Sequence, residues 1–74
     1  MPGLPTCSGA HAIRAFERAG WRKDRQRGSH VTLTREHSSV VLTVPLHDTL
    51  GRGLLRALVR KAGLTVDEFA DLLP

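Results

Sequence analysis

A single cysteine, Cys7, stands in the whole of this 74-residue chain. No intramolecular disulfide can close, which excludes the small secreted scaffolds that depend on such bridges. Long apolar runs are missing too. The first twenty residues hold no hydrophobic core segment of a signal peptide, because His11, Arg14, Glu17 and Arg18 interrupt them. Every apolar stretch falls far below the ~20 residues that span a bilayer, so a cytoplasmic protein without membrane contact is expected. No glycine-rich phosphate loop and no dinucleotide fingerprint occurs. Cys7 and His11 form the one close pair of potential zinc ligands, and no second pair answers them; His30, His37 and His47 are scattered, so no metal is expected. Internal repeats and low-complexity tracts are absent.

What remains is one small domain with an uneven charge. A chain this short buries only about 60% of its unfolded surface. Its composition, 41% hydrophobic and 24% charged, is that of a globular protein rather than a disordered one. Eleven Lys and Arg oppose seven Asp and Glu. Residues 1–61 carry all eleven bases and a net charge of +7, whereas residues 62–74 carry −3. A basic body of this size points to an anionic partner, nucleic acid above all.

Met1 to Cys7, with two prolines and a glycine, reads as a loose lead-in. Ser8 is a helix N-cap, Ala12, Ile13, Phe16 and Ala19 share one helical face, and Gly20 takes the left-handed stop position. Trp21 to Arg27 is too polar for a central helix. Gly28-Ser29 is a turn, and His30 to Arg35 alternates with Val31 and Leu33 inward and His30, Thr32 and Thr34 outward. Val40 to Val44 alternates again up to Pro45. These segments predict a three-stranded antiparallel meander. Leu54, Leu55, Leu58, Val59 and Ala62 form the apolar stripe of a second helix ended by Gly63. Thr65 to Glu68 is a capping box opening a short last helix with Phe69, Leu72 and Leu73 apolar. The expectation is an α+β fold, α-β-β-β-α with a short terminal helix, whose helices cover one face of the sheet and leave the His30, Thr32 and Thr34 face open.

His30 is the residue that local pattern singles out. It follows a Gly-Ser turn, begins a strand on the polar side, and comes just after Arg22, Lys23, Arg25 and Arg27. An imidazole, titrating at about pH 6.5, exchanges protons at cellular pH, and guanidinium groups hold a phosphate and stabilise charge that builds on it. That pairing suffices to cleave RNA, which supplies its own 2′-hydroxyl nucleophile. The plain alternative is a surface histidine that hydrogen-bonds across a strand. The four bases have an alternative too, as guards of an exposed edge strand. Four against the one acid Asp24 exceeds that task and favours phosphate contact. Arg52, Arg56 and Arg60 recur on one face of the second helix, either as a second phosphate track or as a solvated face. His47 either lines the groove of His30 or hydrogen-bonds its own loop. Trp21 is expected to pack on the first helix rather than stack bases. His11 and His37 read as surface residues, and Cys7 lacks the cationic neighbour that a nucleophilic thiol needs.

Ser8-Gly9, Ala19-Gly20-Trp21, Arg25 to His30 (RQRGSH), Val44-Pro45-Leu46-His47, Arg52 to Arg56 (RGLLR) and Ala62-Gly63-Leu64 together resemble the HicA family of toxins, in family order from Ser8 to Leu73. The resemblance implies a double-stranded-RNA-binding-like α-β-β-β-α fold. It also implies an mRNA interferase of a type II toxin–antitoxin module, an endoribonuclease that works without metal or other cofactor. Such a toxin would be a monomer when free and would form a hetero-oligomer with a HicB-type antitoxin that covers its active site. The family's catalytic histidine falls on His30, preceded by its glycine and serine at Gly28 and Ser29. Lys23, Arg25, Arg27 and His47 complete the expected RNA-binding set, with Arg25 and Arg27, helped by Lys23, holding the phosphate. One position departs from the family pattern: threonine usually follows the glycine that opens the second helix, and Leu54 stands here.

Two other readings compete. A non-catalytic RNA-binding module of the same fold would spread its bases over two minor grooves rather than around one turn. A DNA-binding helix-turn-helix would use Arg56 to Leu73 as its first pair of helices, yet needs a recognition helix that the acidic last thirteen residues do not offer.

Overall fold

The computed structural model describes residues 3–74, and its elements follow one another as α1 (Gly9–Arg18), β1 (Arg22–Arg27), β2 (His30–Thr34), β3 (Val41–Pro45), α2 (Arg52–Lys61) and α3 (Val66–Leu72). The fold is α+β, with one antiparallel sheet ordered β1-β2-β3. The Ser8 hydroxyl accepts the His11 N–H at 3.1 Å, and Gly20, at φ 101°, releases the chain from α1 in the left-handed conformation that glycine adopts without cost. Val31 and Leu33 of β2 and Leu42 and Val44 of β3 face the helices, and all four are buried. Against them pack Ile13 and Phe16 of α1, Leu55, Leu58 and Val59 of α2, and Phe69 of α3. Leu54, expected in the α2 stripe, is instead 41% exposed. It adjoins Leu55, and at 100° per residue the stripe cannot bury both flanks of a helix that meets the sheet along a single line.

The short helix α3 is built into the core. Phe69 lies fully in the core with its ring 5.2 Å from that of Phe16, which joins α3 to α1. The acidic end also has a local explanation. Asp67 and Glu68 occupy the first turn of α3, where the helix dipole favours negative charge, and Thr65 and Glu68 complete the capping box. At the other end, Arg18 Nη1 donates to the Leu72 carbonyl at 3.0 Å.

Met1 and Pro2 of the expected lead-in lie outside the described residues. Gly3 to Cys7 forms no helix or strand, yet Leu4 and Cys7 are buried and the Cys7 carbonyl accepts the Leu50 N–H at 2.9 Å. That part of the segment is docked rather than loose, because two apolar side chains and a ladder-like hydrogen bond hold it. Desolvation by burial pushes the Cys7 thiol above its ordinary value of 9.0. The folded state thus holds the thiol proton longer than the unfolded chain does. Stability is unaffected by this group well below pH 9.0 and falls as pH rises past it. With no tyrosine in the chain, few other groups titrate in that range. Urea midpoints taken from pH 7 to pH 10 should fall in the parent and fall less in Cys7→Ala. The native thiol should also resist a thiol reagent until the protein is unfolded.

Candidate functional site

The β1–β2 hairpin places the candidate residues. Arg27 and His30 are register partners, which leaves Gly28 and Ser29 as a two-residue turn. Gly28 has φ 58° at the first central position, the requirement of a II′ turn that glycine meets without strain. The turn is fastened to the rest of the sheet. The Leu46 N–H donates to the Ser29 carbonyl at 2.6 Å, and Gln26 Nε2 donates to the Gly28 carbonyl at 3.0 Å. His30 therefore begins β2 at a fixed end of the sheet. Its neighbours Val31 and Leu33 point to the helices, so by alternation the imidazole stands on the opposite, open face, exposed to solvent. Across the strands, His30 sits opposite Arg27 on one side and Pro45 on the other. Opposed residues on one sheet face have Cβ atoms about 4.5–5.5 Å apart, within reach of an arginine side chain.

The sheet sorts the four bases of β1 in a way that simple alternation does not. Arg25 pairs with Thr32 and Arg27 with His30, both on the open face, but Lys23 pairs with Leu33 and Gln26 with Val31 on the helix side. A β-bulge between Lys23 and Arg25 inserts Asp24 without a partner and reverses the phase of the strand. Lys23 and Gln26 accordingly line a groove of ≈ 190 Å³ with Ile13, Arg14 and Glu17 of α1. Arg22 takes the place expected of Lys23, opposite Thr34 and on the open face. The signal for this was present as a conflict. The Gly28-Ser29 turn puts Arg27 outward with His30, and strict alternation from there would put Trp21 outward as well. Trp21 is 1% exposed and belongs to the core, so one residue must be extra.

His47 lies two residues past Pro45, the partner of His30. Its carbonyl accepts the Gly9 N–H at 2.9 Å, which pins its backbone to the start of α1 and leaves the side chain exposed at the His30 end of the sheet. Arg52, Arg56 and Arg60 lie on α2, in the layer behind the sheet, and do not join His30. Arg56 and Arg60 border a shallow groove with Leu64 and Val66. Trp21 is no stacking platform: it is buried, and the Arg35 guanidinium stands 4.7 Å from its ring centroid. His11 and His37 are exposed, and His37 stands 3.4 Å from the Glu36 carboxylate.

The electrostatics of the open face are simple. Among the described residues no Lys or Arg lies within ion-pair distance of a carboxylate, and the His30 imidazole has no hydrogen-bond partner. Arg22, Arg25 and Arg27 thus present unneutralised guanidinium groups on the same face as an accessible imidazole, Arg27 directly opposite it. No group of three His, Cys, Asp or Glu that could hold a metal ion occurs among the described residues. The arrangement suits an anionic polymer laid on the sheet, with one proton-transfer group at its end.

No curated protein matches the chain. The family model described as the HicA toxin of bacterial toxin–antitoxin systems matches residues 9–64. That span runs from the first residue of α1 through the whole sheet to the turn after α2, and it includes Gly28, Ser29, His30 and His47. With most of its length matched, including the hairpin that carries the imidazole, the chain belongs to the HicA toxin family.

Proposed function

We propose that this protein is the toxin of a type II toxin–antitoxin module and acts in the cytoplasm as a metal-independent endoribonuclease on mRNA, held in check by a HicB-type antitoxin. One observation carries the reading: an exposed imidazole at the end of a basic sheet face, with Arg27 directly opposite and Arg25 in the next row. In the reaction, the ribose 2′-oxygen attacks the adjacent phosphorus, and the bond from phosphorus to the 5′-oxygen of the next nucleotide breaks. His30 acts on the protons of this exchange as general base toward the 2′-hydroxyl or general acid toward the leaving oxygen. Arg25 and Arg27 hold the phosphate and stabilise its growing charge. The second proton passes through water, the substrate or a second residue such as His47, since one imidazole serves one role at a time. Lys23, on the other side of the sheet, leaves the grip to the two arginines.

This chemistry fixes the products. Purified protein incubated with single-stranded RNA in the presence of a chelator is expected to yield fragments ending in 2′,3′-cyclic phosphate and beginning with 5′-hydroxyl. The 2′-deoxy analogue should stay intact. RNA binding without cleavage would favour a non-catalytic RNA-binding module, and cleavage abolished by the chelator would overturn the metal-free mechanism.

A further inference from the structure

The open face of the sheet carries more than the grip at its end. Three cross-strand rows lie on it. The first holds Arg27 and His30, the second Arg25, Thr32 and Thr43, the third Arg22, Thr34 and Val41. Along β2 successive rows are two residues apart, about 6.6 Å at the usual rise of a strand. The bulge at Asp24 keeps β1 in step, so one arginine stands at the β1 edge of every row. Such a spacing is comparable to that of successive phosphates in an extended single strand. The threonines beside the arginines supply hydroxyls that both donate and accept hydrogen bonds, as riboses and base edges require.

We propose that single-stranded RNA runs along β1 across this face, with consecutive phosphates on Arg27, Arg25 and Arg22, and that Arg22, Thr32, Thr34 and Thr43 form a binding track remote from the scissile bond. The proposal rests on the endoribonuclease reading, because it takes His30 as the point of cleavage. The bulge is then a functional device. Without it Arg22 would face the helices and Lys23 would occupy the open face. A duplex does not fit this arrangement, since the arginines form a single line and, among the described residues, no second line answers them on the face.

The test compares Arg22→Gln with Lys23→Gln, which remove the same charge from adjacent residues on opposite sides of the sheet. Binding is measured with 2′-O-methyl oligoribonucleotides, which cannot be cleaved, as dinucleotides and tetranucleotides over a range of salt. Arg22→Gln is expected to weaken the tetranucleotide about two- to fivefold, as for the loss of one exposed charge contact. It should lower the slope of log K against log salt by about 0.7, while leaving the dinucleotide unchanged. Lys23→Gln should alter neither. Equal effects of the two substitutions, or a larger effect of Lys23→Gln, overturn the track. Unmodified RNA is assayed for cleavage in parallel. A parent protein that shows the tetranucleotide gain but cleaves nothing supports the track and overturns the enzyme, whereas cleavage with an inert Arg22→Gln does the reverse.

Discussion

His30→Ala is expected to remain folded and to leave RNA intact. Proton transfer by a positioned side chain contributes typically 10²–10⁴ to a rate, so cleavage should fall by at least about a hundredfold. The imidazole is exposed and makes no hydrogen bond to the described residues, so the substitution should shift stability by no more than about 0.5 kcal/mol. Trp21, the one tryptophan and fully enclosed, reports this through its fluorescence in a urea titration. Controlled expression in growing cells provides the second measurement: the parent should arrest growth and degrade mRNA, the variant neither. A folded His30→Ala protein that cleaves as fast as the parent would remove His30 from the chemistry and leave the open face a binding surface. His47→Ala then tests the route of the second proton. If His47 supplies it, the parent shows two limbs in its pH–rate profile and the variant loses one; if water or the substrate does, His30 alone gives a single limb and the variant leaves it unchanged.

Gly9→Ala should be the most damaging of single methyl additions to this fold. A Cβ at Gly9 would overlap the Pro45 carbonyl oxygen outright, with the Pro45 carbonyl carbon at 2.9 Å and Leu46 Cα at 3.1 Å. These are backbone atoms at the end of a strand, so no side chain can swing away to make room. Overpacking typically costs 1–3 kcal/mol, and this contact belongs at or above the top of that range, about 3 kcal/mol or more. Residue 9 also donates its N–H to His47, so the loss extends to the loop that flanks the site. The urea midpoint of Gly9→Ala should fall sharply, with cleavage reduced in whatever folded fraction remains. Gly53→Ala is the control, since a Cβ there meets nothing within 4 Å. Equal midpoints for the two variants would show that α1 slides on β3 without penalty and that the close approach is not a constraint.

Gly9 shows where reading a sequence reaches its limit. Ser8 announced the start of α1 because capping is a matter between residues three apart, and the hydroxyl does accept from His11. That the next residue must be glycine depends on Pro45, thirty-six positions away, and no local pattern carries such a contact. Leu54 is a similar case. Its place in an apolar stripe was plain, but whether a flank of that stripe is buried depends on how far the sheet extends beneath α2.

The sequence by itself determined the elements, their order and the imidazole to watch. Caps at Ser8 and Thr65, left-handed glycines at 20, 28 and 63, and two alternating strands are local signals, each written within a few residues. It also determined that the charge is basic and concentrated ahead of Gly28-Ser29-His30. Only the tertiary structure decided which bases accompany the histidine. Charged residues on an exposed edge strand have no periodicity of their own, and their facing is imposed from outside the strand, by Trp21 drawn into the core at one end and a two-residue turn at the other. Those two demands cannot be met by an unbroken strand. The bulge at Asp24 reconciles them, turning Lys23 toward α1 and bringing Arg22 onto the face of His30.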